Sequence, residues 1–247
     1  MKALITGASS GIGRDLAREL SMQGYDLVLV ARNLEKLNKL KQELKTNVEI
    51  VGMDISIAEN CKKLHDEHND IDLLVNNAGF GDYGYFTKTD LNKEIQMINT
   101  NIVAYHALTK LYLKDMKEKN SGTILNVASI GGFMPGPLMA TYYSTKSYVV
   151  RLSEAIREEL RREKSNVQIS ILCPGPVDTN FNKVANVQFA LKGLSSEYVA
   201  KYAINKLLRG KFYIVPGTKI KLAKFASKIS PSNIVAMFSY NMQRRKI

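Results

Sequence analysis

The chain has 247 residues, 45% of them hydrophobic, which suits one large α/β domain with a sizeable core. Its two cysteines, Cys61 and Cys173, lie far apart in no metal-like spacing, which argues against a disulfide scaffold and reads as reduced thiols in a cytoplasmic protein. The formal net charge is +12, yet no Asp or Glu follows Glu197, and the eleven positive charges beyond it account for nearly all the excess.

Lys2–Thr6 is a short apolar run ending at Gly7. If it is a core strand, no signal peptide precedes it. No apolar run approaches the ~20 residues of a membrane-spanning helix. Neither an internal repeat nor a linker divides the chain. After Gly7 come Ala8, Ser9, Ser10, Gly11, Ile12 and Gly13, then an amphipathic pattern through Leu16, Ala17 and Leu20 to Gly24. Strand, glycine turn and helix together open a dinucleotide-binding unit. The glycines allow a sharp turn and close approach to a pyrophosphate, and the helix start offers unpaired N–H groups to it.

Asp26–Ala31 is the second strand candidate, ending in Ala31-Arg32-Asn33. No acid stands there to accept from a ribose hydroxyl. Arg32 instead offers a guanidinium suited to a phosphate, which favours NADP over NAD; the plainer reading is a solvated arginine at a strand end. A charged helix over Leu34–Leu44 leads to a strand, Val48–Met53, followed by Asp54. A helix over Ile57–His68 leads to the strand Ile71–Val75 and then to Asn76-Asn77-Ala78-Gly79. His65 and His68 sit in a polar helix end without a third ligand, so no metal is expected.

Thr87–Lys119 reads as one long or broken helical region. Asn99 and Asn101 interrupt its apolar pattern, and Asn101 is expected to hold a local kink or a water. The strand Thr123–Ala128 follows, then a Gly/Pro-rich loop and a helix over Tyr142–Glu163. Val149, Leu152, Ile156 and Leu160 form an apolar stripe on that helix, the mark of a core or subunit contact. Tyr142 and Lys146 are four residues apart and share a face. A nearby ammonium lowers a phenol pKa, so the pair is suited to giving or taking a proton at a carbonyl or alcohol oxygen. Ser129 can hydrogen-bond the same oxygen. Taken alone, Tyr-x-x-x-Lys is common by chance. The strand Val167–Cys173 runs into Pro174-Gly175-Pro176-Val177-Asp178-Thr179. This alternation implies a doubly wound parallel sheet, with the glycine turn, Ser129, Tyr142 and the Pro174 loop along one edge.

That set resembles the short-chain dehydrogenase/reductases over roughly Lys2–Thr179. It comprises Thr6-Gly7…Gly11-x-Gly13, Asp54, Asn76-Asn77-Ala78-Gly79, Asn101, Ser129, Tyr142-x-x-x-Lys146 and Pro174-Gly175. The resemblance implies a Rossmann-like catalytic domain over residues 1–247. Tyr142 would be the acid/base, Lys146 would lower its pKa and hold the nicotinamide ribose, Ser129 would orient the substrate, and Asn101 would support a proton-relay water. Gly7, Ser9, Ser10, Gly11, Ile12 and Gly13 would line the pyrophosphate. Asp54 would meet the adenine, and Asn77, Ala78 and Gly79 the adenosine ribose side. Pro174, Gly175, Val177 and Thr179 would meet the nicotinamide, and Arg32 the 2′-phosphate. Many NADP-using members carry a basic residue where this chain has Ser10, so the NADP preference rests largely on Arg32. The family also implies a substrate lid over 180–194 and a homodimer or homotetramer.

Ser195–Arg209 reads as a helix and Phe212–Val215 as the last strand. In the tail, 218–247, Leu222, Phe225, Ala226 and Ile229 share one helical face, with Lys221, Lys224 and Lys228 largely on the other. A second helix starts at Ser230-Pro231 and carries Ile234, Val235, Met237 and Phe238. Both helices are expected to pack on the body with their lysines solvated. The alternatives are a basic patch on an anionic membrane, or attraction of an anionic acyl carrier such as a thioester of coenzyme A or of acyl carrier protein. Nucleic acid is not expected, since no recognition motif accompanies the charge.

The reading is an NADPH-dependent carbonyl reductase, reversible as an alcohol dehydrogenase, acting on a small molecule. A cofactor-binding sensor or scaffold without chemistry is the rival. A sugar-nucleotide epimerase is a second rival, disfavoured by glycine spacing and chain length. Lid residues Phe181, Phe189 and Leu191 suggest an apolar substrate.

Overall fold

The structure is a computed structural model that describes residues 1–179, 181, 185 and 193–244. The expected 180–194 lid therefore lies largely outside the described residues, with Phe189 and Leu191. The elements run in this order: β1 (Lys2–Thr6), α1 (Gly11–Met22), β2 (Asp26–Ala31), α2 (Leu34–Glu43), β3 (Val48–Gly52), α3 (Ala58–Glu67) and β4 (Leu73–Asn76). After them come α4 (Leu91–Ile98), α5 (Ala104–Glu118), β5 (Thr123–Val127), α6 (Ala140–Arg162), β6 (Gln168–Leu172) and the short strands β7 (Val177–Asp178) and β8 (Leu194–Ser195). The chain continues through α7 (Ser196–Leu207), β9 (Tyr213–Ile214), α8 (Thr218–Ile229) and α9 (Ser232–Arg244).

Seven strands form one parallel sheet in the order β3-β2-β1-β4-β5-β6-β9, and β7 pairs with β8 beside it. Strands covered on both faces read as near-continuous apolar runs, which is how β1, β2 and β5 appear in the sequence. Alternate side chains then serve opposite layers. Leu4 joins the cluster containing α3, α5 and α6 residues, and Ala3 and Ile5 join the one containing α1, α2 and α7 residues. Strand order reverses between β1 and β4, and the crevice beyond that point is where open α/β sheets take ligands.

The helical region expected over Thr87–Lys119 is broken where Asn99 and Asn101 suggested a kink. Residues Asn99–Val103 form a π-turn between α4 and α5. Asn101 is fully buried there, and no water is needed to satisfy it. Its amide group donates to the Phe80 carbonyl at 2.9 Å and to Thr145 Oγ1 at 3.0 Å, and its Oδ1 accepts from the Phe80 N–H at 3.2 Å.

The C-terminal helices overturn the expected packing. In α8 the apolar set is turned outward, with Leu222, Phe225 and Ile229 all exposed. Lys224, part-buried, leans on the body, while Lys221 and Lys228 remain exposed beside it. Lys224 Nζ lies 3.1 Å from the Tyr213 ring centroid and 4.5 Å from that of Phe133, Lys221 lies over Tyr202, and Lys228 over Tyr213. Aromatic faces attract ammonium groups, and lysine stems cover apolar surface well, so these rings hold the Lys224 side of α8 against the body.

Candidate active site

Four strand ends bring the site together, beginning with the glycine turn after β1. Gly7 and Gly11 have φ of +66° and +55°, a region that L side chains rarely adopt. A Cβ on Gly7 would meet the Ala78 Cα at 2.7 Å, and one on Gly13 would meet the Gly7 oxygen at 2.5 Å. These glycines let β1, α1 and the β4 end approach one another. Thr6 fastens the same junction: its Oγ1 accepts from the N–H groups of Asn77 and Ala78 at 3.0 and 3.1 Å. The Asn77 side chain donates to the carbonyls of Thr6 and Gly7 at 2.9 and 3.2 Å. Its amide thus braces the turn, a use that the motif did not reveal.

The start of α1 fits a pyrophosphate. Ser10 makes no side-chain cap, and no acidic residue lies in the first turn. The leading N–H groups and the positive helix end therefore face a place open to an anion. Ser9, Ser10 and Ile12 are part-buried around it, and a Cβ on Gly11 would touch Thr179 at 3.1 Å. That contact brings the β6–β7 segment, with Pro174, Gly175 and Val177, to the glycine turn. Arg32 leaves the end of β2 largely exposed, with Nη1 3.7 Å from Asp54 Oδ2. Asp54 is held below the usual carboxylate range: burial opposes this, but the N–H and hydroxyl of Ser56 and the nearby Arg32 outweigh it. Arg14, the other cation near the turn, is engaged by Asp15 through two hydrogen bonds.

The end of β5 and the first turns of α6 supply Ser129, Tyr142 and Lys146. Ser129 Oγ accepts from the Gly131 N–H at 3.1 Å, and the Ile130 N–H donates to the Pro174 carbonyl at 2.9 Å, which ties the two loops together. Lys146 is buried, and its Nζ donates to the Val127 carbonyl at 2.9 Å. A Cβ on Gly79 would lie 2.9 Å from Asn101 Oδ1 and 3.4 Å from Lys146 Nζ. The Asn77-Ala78-Gly79 segment therefore links the glycine turn to the lysine.

The electrostatics correct one expectation. The phenol of Tyr142 is raised above its ordinary value, not lowered by Lys146. Burial drives this, with the Ser129 hydroxyl opposing it. The ammonium lies 5.9 Å from the Tyr142 ring centroid and is spent on Val127. Burial also lowers Lys146, to about 8. Helical spacing put the two side chains on one face, but it could not show that the ammonium folds back onto a carbonyl.

Around the phenol stand Phe181, named from the sequence as a lid residue, and groups that the sequence did not single out. A Cβ on Gly81 would meet Phe181, Met139 and Tyr142, at 2.8 Å for the first. The Phe181 ring lies 5.3 Å from that of Tyr142. From α9, the Gln243 side chain donates to the Tyr143 hydroxyl at 2.5 Å, and the Tyr83 hydroxyl donates to the Gln243 carbonyl at 3.3 Å. Ile220 of α8 packs against Gly175. The sequence held no periodic signal for these contacts, which pair residues as much as 160 apart.

Residues 1–188 match the family described as short chain dehydrogenase. The chain belongs to the short-chain dehydrogenase family. An uncharacterized oxidoreductase of Staphylococcus epidermidis is 35% identical over 181 residues, covering 72% of this chain and 78% of that protein. A very-long-chain 3-oxoacyl-CoA reductase of Pyrenophora tritici-repentis is 34% identical over 195 residues, covering 74% of this chain; the aligned part spans 56% of that protein's length. Among solved structures, a short-chain dehydrogenase of Sphingobium yanoikuyae in complex with NADPH superposes with a TM-score of 0.83 at 26% identity, covering 92% of each chain. One of Burkholderia phymatum in complex with NAD gives 0.83 at 25% identity, covering 91% of each. Short-chain dehydrogenases of this fold thus bind either dinucleotide, and the glycine turn, the α1 start and the strand order of this chain are those of an NAD(P)-binding oxidoreductase. Among its described residues, no three His, Cys, Asp or Glu side chains gather as metal ligands. His65 pairs instead with Asp115 at 2.7 Å.

Proposed function

We propose that this short-chain dehydrogenase is an NADPH-dependent carbonyl reductase, reversible as an alcohol dehydrogenase, with Tyr142 as its acid/base. The observation that carries the reading is the continuous chain of contacts from Gly7 through Ala78 and Gly79 to Lys146, with Tyr142 one turn before it on α6. It sets a proton donor beside the crevice into which the α1 N-terminus would draw a dinucleotide. The reduced nicotinamide, when bound, supplies a hydride to the carbonyl carbon.

The protein's part is positional and protonic. A phenol raised by burial stays protonated near neutral pH, so the hydroxyl carries its proton into the reduction. Ser129 orients the same oxygen. Lys146, still largely protonated below about 8, would hold the nicotinamide ribose. Asn101 anchors the Phe80 backbone and so fixes the wall that Gly81 forms beside Tyr142. Phe181 and Met139 make that wall apolar and favour a substrate with hydrocarbon next to its carbonyl. Arg32, 67% exposed and only loosely paired with Asp54 at 3.7 Å, is better placed for a 2′-phosphate than Arg14, which Asp15 holds at 2.9 Å. Asp54, Thr179 and Val177 complete the proposed cofactor cleft.

The intact Ser129, Tyr142 and Lys146 set weighs against a pure sensor or scaffold, which needs none of their chemistry. NADPH consumption measured against a panel of apolar ketones, aldehydes and 3-oxoacyl thioesters tests the proposal. Turnover of at least one class supports it, and cofactor binding without turnover on the whole panel favours the sensor.

A further inference from the structure

The last two helices present a face that water alone does not select. Each exposes three large apolar side chains: Leu222, Phe225 and Ile229 on α8, and Ile234, Met237 and Phe238 on α9. Five of the six are more than 60% exposed, while the polar Ser239 and Gln243 are 2% exposed. Clusters of exposed apolar side chains mark interaction sites far more often than single ones do. The helices are nonetheless fixed to the body. Lys224 sits over Tyr213, Gln243 holds Tyr143, and the Tyr85 and Tyr240 hydroxyls meet at 2.9 Å. The outward turn of the apolar residues is thus set by the fold.

The charge around this face points to its occupant. From residue 198 onward the chain has no carboxylate side chain, while Lys219, Lys221, Lys228 and Arg244 are all exposed on the two helices. We propose that α8 and α9 dock on the surface of an anionic lipid bilayer. Their apolar side chains enter the acyl boundary, and their basic residues meet the headgroups. Two-fold pairing with a second copy fits less well, because it sets these cations against one another with no acid of the tail to pair them. No helix of the described residues is long and apolar enough to cross a membrane, and the proposed mode is attachment to its surface. The inference does not depend on the roles given to Tyr142 or Arg32.

The chain contains no tryptophan, so a single Phe238→Trp substitution reports on its own environment. With vesicles of phosphatidylcholine containing phosphatidylglycerol, at low salt, its emission should shift to the blue and the protein should pellet with the lipid. Phe225→Ser combined with Phe238→Ser should weaken pelleting roughly tenfold or more while leaving NADPH binding intact. Lys219→Glu combined with Arg244→Glu should cut it similarly and lessen its salt sensitivity. Absence of both pelleting and blue shift would overturn the proposal, as would equal affinity for purely zwitterionic vesicles. A lipid-independent blue shift that follows a doubling of mass would assign the face to a second copy instead.

Discussion

Lys146 Nζ donates to the main-chain carbonyl of Val127 at 2.9 Å, bridging α6 and the end of β5 from a buried position. Burial lowers this ammonium from an ordinary 10.5 to about 8. Unfolding restores the ordinary value, so between about pH 8 and 10.5 the unfolded chain holds more protons than the folded one. Stability from this group is therefore gained as pH rises through that window and lost as pH falls back through about 8. Urea denaturation of the wild type and Lys146→Met should show the wild type gaining on the variant across the window, by up to about 3 kcal/mol. A constant difference from pH 7 to 10 would show that Lys146 is not strained by burial.

Arg32 is the exposed cation at the end of β2, while Arg14 is tied to Asp15. Arg32→Ala should weaken NADPH by about 10- to 100-fold, the range for losing one charged hydrogen bond, and barely affect NADH. Titration of both dinucleotides checks this. Equal losses for the two would remove the phosphate role and leave Arg32 as a surface group near Asp54.

Asn101 satisfies both main-chain groups of Phe80 and the hydroxyl of Thr145. Asn101→Ala should cost about 1–3 kcal/mol in thermal or urea unfolding, because buried polar groups lose partners. Asn101→Asp keeps the acceptor but loses both donors, and should also lower kcat by shifting the Gly81 wall beside Tyr142. A variant with native stability and kcat would contradict the anchoring role.

Gly13 faces the Gly7 carbonyl so closely that an added Cβ would lie 2.5 Å from its oxygen. Gly13→Ala should destabilise the protein by about 1–3 kcal/mol through overcrowding and should weaken both dinucleotides alike. Paired unfolding and binding measurements check this, and unchanged values would mean that the turn is looser than the structure shows.

The sheet was legible in the sequence because a doubly covered strand leaves an unbroken apolar run. The Leu4, Val28 and Leu125 runs mark their strands directly. The glycine turn was legible as well, since its positive φ angles need glycine. The π-turn was half legible: two asparagines in an apolar helix signalled a break, but not that Asn101 would bond Phe80 and Thr145. What stayed hidden depends on contacts distant in sequence. Asn77 was read for its motif, while its amide serves Thr6 and Gly7. Lys146 was placed beside Tyr142 by helical spacing, yet its terminal atom bends to Val127. In the tail, periodicity found the apolar face of α8 but not that it would be turned outward, because the Phe133 and Tyr213 rings that take Lys224 lie elsewhere in the chain.

The proposed chemistry turns on the Tyr142 hydroxyl, which should contribute to turnover and not to holding the cofactor. Tyr142→Phe removes one oxygen and keeps the ring against Phe181. Kinetics of this variant on a ketone that the wild type reduces, alongside its NADPH affinity, is the most direct measurement. The account predicts a fall in kcat of about 10²- to 10⁴-fold with NADPH binding unchanged. Turnover within a few-fold of wild type would show that the proton comes from another group.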